Sequence, residues 1–150
     1  MKAHRLAAAA GVATAAGLVL TTLAAPPASA AWRGCSAIYT HGAVPYIAAS
    51  GGGDETYTGK NSLSDVSLYV KDTAADGHDV AVRLVTRRSN GTDHYWSWHH
   101  LYAGQGTDQT WNTTASDSGG IRLVWREVAV MEGGSVLNFC ATQPQKNDMW

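Results

Sequence analysis

From residue 60 onward, apolar and polar positions alternate in short runs, and each run stops at a turn signal. A period of two is the mark of a strand with one face in a core. Residues 66–71 (VSLYVK) form the first clear run, and 72–78 (DTAADGH) turn around Asp76-Gly77. Residues 79–88 (DVAVRLVTRR) alternate strongly. The following SNGT centres on Asn90-Gly91, a strong hairpin signal, which makes 93–102 (DHYWSWHHLY) the returning strand. Residues 110–114 predict a short strand, 121–132 (IRLVWREVAVME) a long one, Gly133-Gly134 a turn and 135–141 (SVLNFCA) the closing strand. Before residue 60 the signal is weaker: SAIYTH and VPYIAA suit short strands, and 50–62 (SGGGDETYTGKNS) reads as a flexible loop. No window after residue 31 carries the i, i+3, i+4, i+7 spacing of a helix. Seven or eight short strands in residues 31–150 predict an all-β antiparallel β-sandwich, with a small β-barrel as the alternative.

The hairpin sorts the densest chemistry of the chain, HYWSWHH at 94–100. A two-residue loop at Asn90-Gly91 would pair Arg87 with His94, Val85 with Trp96, Arg83 with Trp98 and Ala81 with His100, all on one face. The other face would carry Val80, Val82, Leu84, Tyr95 and Leu101, a good core set. Two arginines are hard to bury unpaired, so the first face is expected to look outward. Arg83 would then stack on Trp98, and Tyr69 would join the cluster if Val66, Leu68 and Val70 face the core. Trp96, Trp98, Arg83, Tyr69 and His94 are therefore the candidate ligand-binding residues. Exposed indoles beside arginine suit a sugar ring or an aromatic or anionic ligand. The competing reading is packing. Residues 31–60 would fold over the tryptophans, or a different loop length would turn the faces over. A zinc site is not expected: His94 and His100 would lie roughly 20 Å apart along a strand, and His99 and His100 point to opposite faces. No cofactor is predicted.

The first thirty residues add location. A basic start (Lys2, His4, Arg5), an apolar run from Leu6 to Leu23 and a closing Ala28-Ser29-Ala30 read as a secretory signal peptide. Cleavage after Ala30 would leave 31–150 as one secreted domain, with nothing later long and apolar enough to span a bilayer. Without Lys2 and Arg5, nine basic residues face twelve acidic ones, a net −3, which argues against a nucleic-acid partner. In an exported chain, Cys35 and Cys140 are expected to form a disulfide.

Three further motifs carry weaker chemistry. SDSGG at 116–120 resembles the segment around the nucleophile of chymotrypsin-like serine proteases through Asp117, Ser118, Gly119 and Gly120. It lacks the leading Gly and the following Pro, and residues 31–150 are too few for that family's two barrels. A turn explains the motif. Asp72, Asp76 and Asp79 surround a turn as calcium ligands would, without the alternating spacing of a calcium loop. Glu127 breaks the rhythm of 121–132, which predicts a β-bulge near Arg126-Glu127. With Gly133-Gly134 as the loop, Val128 would oppose Phe139, Val130 would oppose Leu137, and Cys140 would point away from that core.

The leader ending APPASA, with SLYVKDTAADGHDVAVRL, HYWSWHH and WNTTASDSGG, resembles small exported proteins of filamentous actinobacteria. The resemblance implies an extracellular, β-rich protein and carries over no active-site residue. The expected role is a non-enzymatic module binding an extracellular glycan or cell-wall polymer. The alternatives are a protein-interaction factor, such as a protease inhibitor or surface-assembly protein, and a small hydrolase using His94, His99 or His100.

Overall fold

The computed structural model describes residues 31–150; the predicted signal peptide at 1–30 lies outside the described residues. In chain order the strands are β1 (Arg33–His41), β2 (Val44–Gly53), β3 (Thr56–Tyr57), β4 (Ser62–Asp72), β5 (Asp79–Arg87), β6 (Asp93–Tyr95), β7 (His99–Leu101), β8 (Asp108–Ser116), β9 (Leu123–Glu132), β10 (Ser135–Ala141) and β11 (Gln145–Lys146). They form two antiparallel sheets packed as a sandwich. One runs β1-β2-β4-β3 with β8 also on β4; the other runs β10-β9-β5-β6 with β7 on β5 and β11 on β9. Among the described residues no helix is long and apolar enough to cross a membrane.

Alternation decides which side chains meet between the sheets. Leu63, Val66, Leu68 and Val70 of β4 face Val80, Val82 and Leu84 of β5 and Val124, Val128 and Val130 of β9, all buried. Each such side chain contributes about 1.5–3 kcal/mol by leaving water. The Cys35–Cys140 disulfide joins β1 to β10, where the edges of the two sheets meet, with Cα atoms 6.1 Å apart.

The structure departs from the sequence reading in four places, each for a local reason. Residues 50–53 are not loop but the buried end of β2. Their glycines let neighbouring strands close in: a Cβ on Gly52 would sit 1.9 Å from the Arg33 carbonyl oxygen, and one on Gly51 2.3 Å from that of Tyr69. The β5–β6 turn has three residues, Ser89 to Gly91, rather than two. Arg88 N–H donates to Thr92 O at 2.8 Å, Gly91 N–H donates to Arg88 O at 3.1 Å, and Gly91 takes φ 87°. This is the type I turn with a left-handed glycine that closes three-residue hairpins. Register near the turn therefore moves by one, to Arg87↔Asp93, Thr86↔His94 and Val85↔Tyr95. Beyond the break at 96–98 it returns to the expected pairing, Val82↔His99 and Ala81↔His100.

In β10 a bulge at Leu137 shifts the partners, so Val128 meets Cys140 and Ala129 meets Phe139. The cysteine thus faces inward and Phe139 outward. Finally, β9 has no bulge: it pairs regularly with β5 from Asp79↔Met131 to Arg87↔Leu123. The broken rhythm arises because Arg126 occupies the inward position. Its guanidinium is buried between the sheets on the carboxylate of Glu55 and the carbonyls of Asp54 and Ser67. Tyr57 donates its hydroxyl to the same carboxylate at 2.8 Å. Burial first, and then the Glu55 charge, push the Tyr57 phenol well above its ordinary pKa.

Candidate functional site

The outer face of the second sheet is built on small residues. Ala81 of β5 and Ala129 of β9 are adjacent, and with Met131 they form a shallow second core against which Trp98 packs. Arg83, next along β5, is the organising group. It donates from Nε to Glu127 Oε2 at 2.8 Å, and Glu127 is its cross-strand partner on β9. That pair fixes the guanidinium 4.3 Å from the Trp98 ring centre and 4.5 Å from that of Tyr95. The stack of Arg83 on Trp98 expected from the register is present. Arg87 makes two hydrogen bonds to Asp93, at 2.7 and 3.1 Å, and lies over Trp125. Farther along the edge, His100 Nδ1 is 2.7 Å from Asp79 Oδ2, and its ring stacks on Tyr102. Tyr95 and Tyr102 are 52% and 75% exposed, so their rings present apolar surface to solvent beside charged groups.

The other candidate residues fall elsewhere. Trp96 and His94 lie on the opposite face, because the longer turn inverts the near half of the strand. Trp96 packs against the main core and donates from Nε1 to Thr86 Oγ1 at 3.2 Å. His94 stacks on Trp96 with ring centres 4.6 Å apart. Tyr69 does not join the cluster, because β4 belongs to the first sheet and its outer face looks the other way. There Tyr69 meets Trp32 edge-on over a shallow depression of about 330 Å³ that includes Gly34 and Ser36. Tyr95, assigned to the core by the two-residue loop, is instead on the outer face. The difference is Ser89, which the three-residue turn takes in and the two-residue loop leaves out.

No family model, curated protein or solved structure matches the chain. Geometry alone therefore carries the functional reading.

Two histidine–carboxylate pairs invite comparison with acid–base catalysis. Asp117 Oδ2 lies 2.6 Å from His94 Nδ1 and accepts from Arg88 Nε at 2.8 Å, while Asp117 Oδ1 accepts from Gly119 N–H at 2.9 Å. The last bond is the Asp-centred turn of the SDSGG segment, so its aspartate is a turn and pairing residue. Among the described residues no hydroxyl is hydrogen-bonded to the ring of His94 or His100. The Asp-His geometry therefore has no attached nucleophile. His99 faces inward against Trp111; burial first, and then neighbouring His100, push its pKa below the ordinary histidine value. Asp72, Asp76 and Asp79 take separate partners, and no three metal-binding side chains are gathered among the described residues.

Asp117 has a measurable consequence. Burial alone would raise its pKa, but hydrogen bonds from His94, Gly119 and Arg88 outweigh this and hold it at about 2, below the ordinary 3.8. A carboxylate depressed in the folded state stabilises it above the unfolded pKa. That contribution fades as pH falls from about 4 to about 2. Its side-chain partners Arg88 and His94 are about one-third exposed, so the contribution is expected to stay below about 2 kcal/mol and to shrink in salt. Urea unfolding at pH 5 and pH 2 should show wild type losing more stability than Asp117→Asn. Equal losses would show that this carboxylate is not specifically stabilised.

Proposed function

We propose that this protein is an exported, non-enzymatic β-sandwich module that binds an extracellular glycan or cell-wall polymer. The binding face is the outer face of the β5–β6–β7 edge. Support comes from one observation above the others: Tyr95, Trp98 and Tyr102 share that face, and Arg83 and His100 hold them in place through carboxylates. Sugar rings have apolar C–H faces that stack on aromatic rings, while their hydroxyls seek charged donors and acceptors at the rim. Prior fixing of the side chains lowers the entropy lost on binding. Export rests on the signal-peptide pattern of residues 1–30 and on the resemblance to exported actinobacterial proteins.

The test is sedimentation with insoluble peptidoglycan, chitin and cellulose. Tyr95→Ala/Tyr102→Ala removes two exposed rings, so its melting should stay cooperative. Binding should weaken about tenfold or more, the scale of two lost stacking contacts. An unchanged bound fraction would sink this reading.

A protein-interaction role is the second reading and rests on a different surface. Ile38 and Ile47 are cross-strand neighbours on the β1–β2 hairpin; with Val44 they are 50%, 51% and 68% exposed. It predicts a stable protein complex, indifferent to the Tyr95/Tyr102 substitutions.

A further inference from the structure

At the end of the sandwich where β4 passes to β5, a cavity of about 520 Å³ is lined by Asp72, His78, Asp79, Tyr102 and the turn around Gly104. Asp72 is the last residue of β4 and has the inward parity of Val66, Leu68 and Val70, so it is only 1% exposed. One carboxylate oxygen, Oδ1, accepts from Ala74 N–H at 3.0 Å. The other, Oδ2, is buried with no hydrogen-bond partner among the described residues. His78 Nδ1 is likewise buried and unpartnered; Glu132, its nearest carboxylate, is 4.0 Å away, too far for a hydrogen bond. Buried polar atoms are almost always satisfied, so two orphans around one cavity are unusual. Burial, with the nearby Asp76 charge, raises the Asp72 pKa despite the Ala74 bond, as expected for a carboxylate lacking a countercharge. Among the described residues no lysine or arginine lines the cavity. Its wall also includes Ala74, Ala75 and Tyr102, and the exposed Tyr102 ring can receive a cation on its face.

We propose that this cavity binds a small organic cation, with the buried Asp72 carboxylate turning to place Oδ2 on its ammonium group and its carbon body against Tyr102. An ammonium group supplies the donor that Oδ2 lacks and the charge that makes ionised Asp72 favourable there. The cavity shares Tyr102 with the glycan face, but Asp72 plays no part in that face, so Asp72→Asn tests this inference separately. The ammonium group has two natural carriers, an aliphatic amine and an amino sugar.

Calorimetric titration separates them. Putrescine and glucosamine are the probes, with 1,4-butanediol and glucose as their neutral counterparts. At least one amine should bind while its neutral counterpart does not, and the one that binds identifies the carrier. Asp72→Asn, which keeps shape and most hydrogen bonding, should weaken the amine about tenfold or more through loss of a charged hydrogen bond. Tyr102→Ala, at an exposed position that does not threaten the fold, should weaken it several-fold. No binding of either amine would overturn the proposal. So would equal binding of the neutral counterparts, or unchanged affinity in both variants.

Discussion

Glu55→Ala is expected to cost about 3–5 kcal/mol of stability, among the largest losses any single substitution in this chain should produce. Arg126 and Glu55 are both 1% exposed, and among the described residues the guanidinium has no other anionic partner. Removing the carboxylate leaves a full charge between two apolar sheets and also strips Tyr57 of its acceptor. Glu55→Gln should cost less, because an oxygen acceptor remains for Arg126 or Tyr57. The opposite result is expected when the whole network is removed. The triple replacement Arg126→Met/Glu55→Leu/Tyr57→Phe should be close to neutral or stabilising, since no polar group is left stranded. Urea unfolding checks both claims, with the m-value showing whether the folded state keeps its compactness. A Glu55→Ala loss below about 1 kcal/mol would mean that Arg126 can reach solvent or another anion.

The second large effect concerns the disulfide. Cys35→Ser/Cys140→Ser should lower stability by up to about 4.7 kcal/mol, because the bridge closes a loop of 105 residues and restricts the unfolded chain. The value is an upper figure, since the unfolded chain retains some compactness. The loss should be shared between folding and unfolding rates according to how early β1 meets β10. Thermal or urea unfolding with and without reductant measures it. Equal midpoints in both conditions would show that this edge is held by packing alone.

Much of the fold was legible because alternation is a local signal. Residues 79–88, 121–132 and 135–141 fall on β5, β9 and β10, and the cysteine pair was legible from its number and the expected export. What was not legible came down to single residues. Asn90-Gly91 serves a two-residue or a three-residue turn, and the choice decides whether Trp96 or Tyr95 lies on the outer face. One extra residue at Leu137 likewise turned Cys140 inward. The broken rhythm at Arg126-Glu127 reads as a bulge until the partner of Arg126 is known, and Glu55 lies 71 residues earlier, in a stretch that reads as loop. Gly51 and Gly52 read as flexible for the same reason: the strands that crowd them are distant in sequence. The half of HYWSWHH beyond Ser97 kept its expected faces, so Trp98 and Arg83 were brought together as the register implied.

The most direct test of the glycan-binding face uses the six tryptophans as reporters. Their indole N–H signals, assigned one at a time by Trp→Phe replacement, would be followed in ¹H–¹⁵N spectra during titration with soluble peptidoglycan fragments and chito-oligosaccharides. Binding at the outer face should move the Trp98 signal progressively and leave those of Trp96 and Trp32 in place. Movement of Trp96 or Trp32 with Trp98 unchanged, or no movement with any of these glycans, would contradict it.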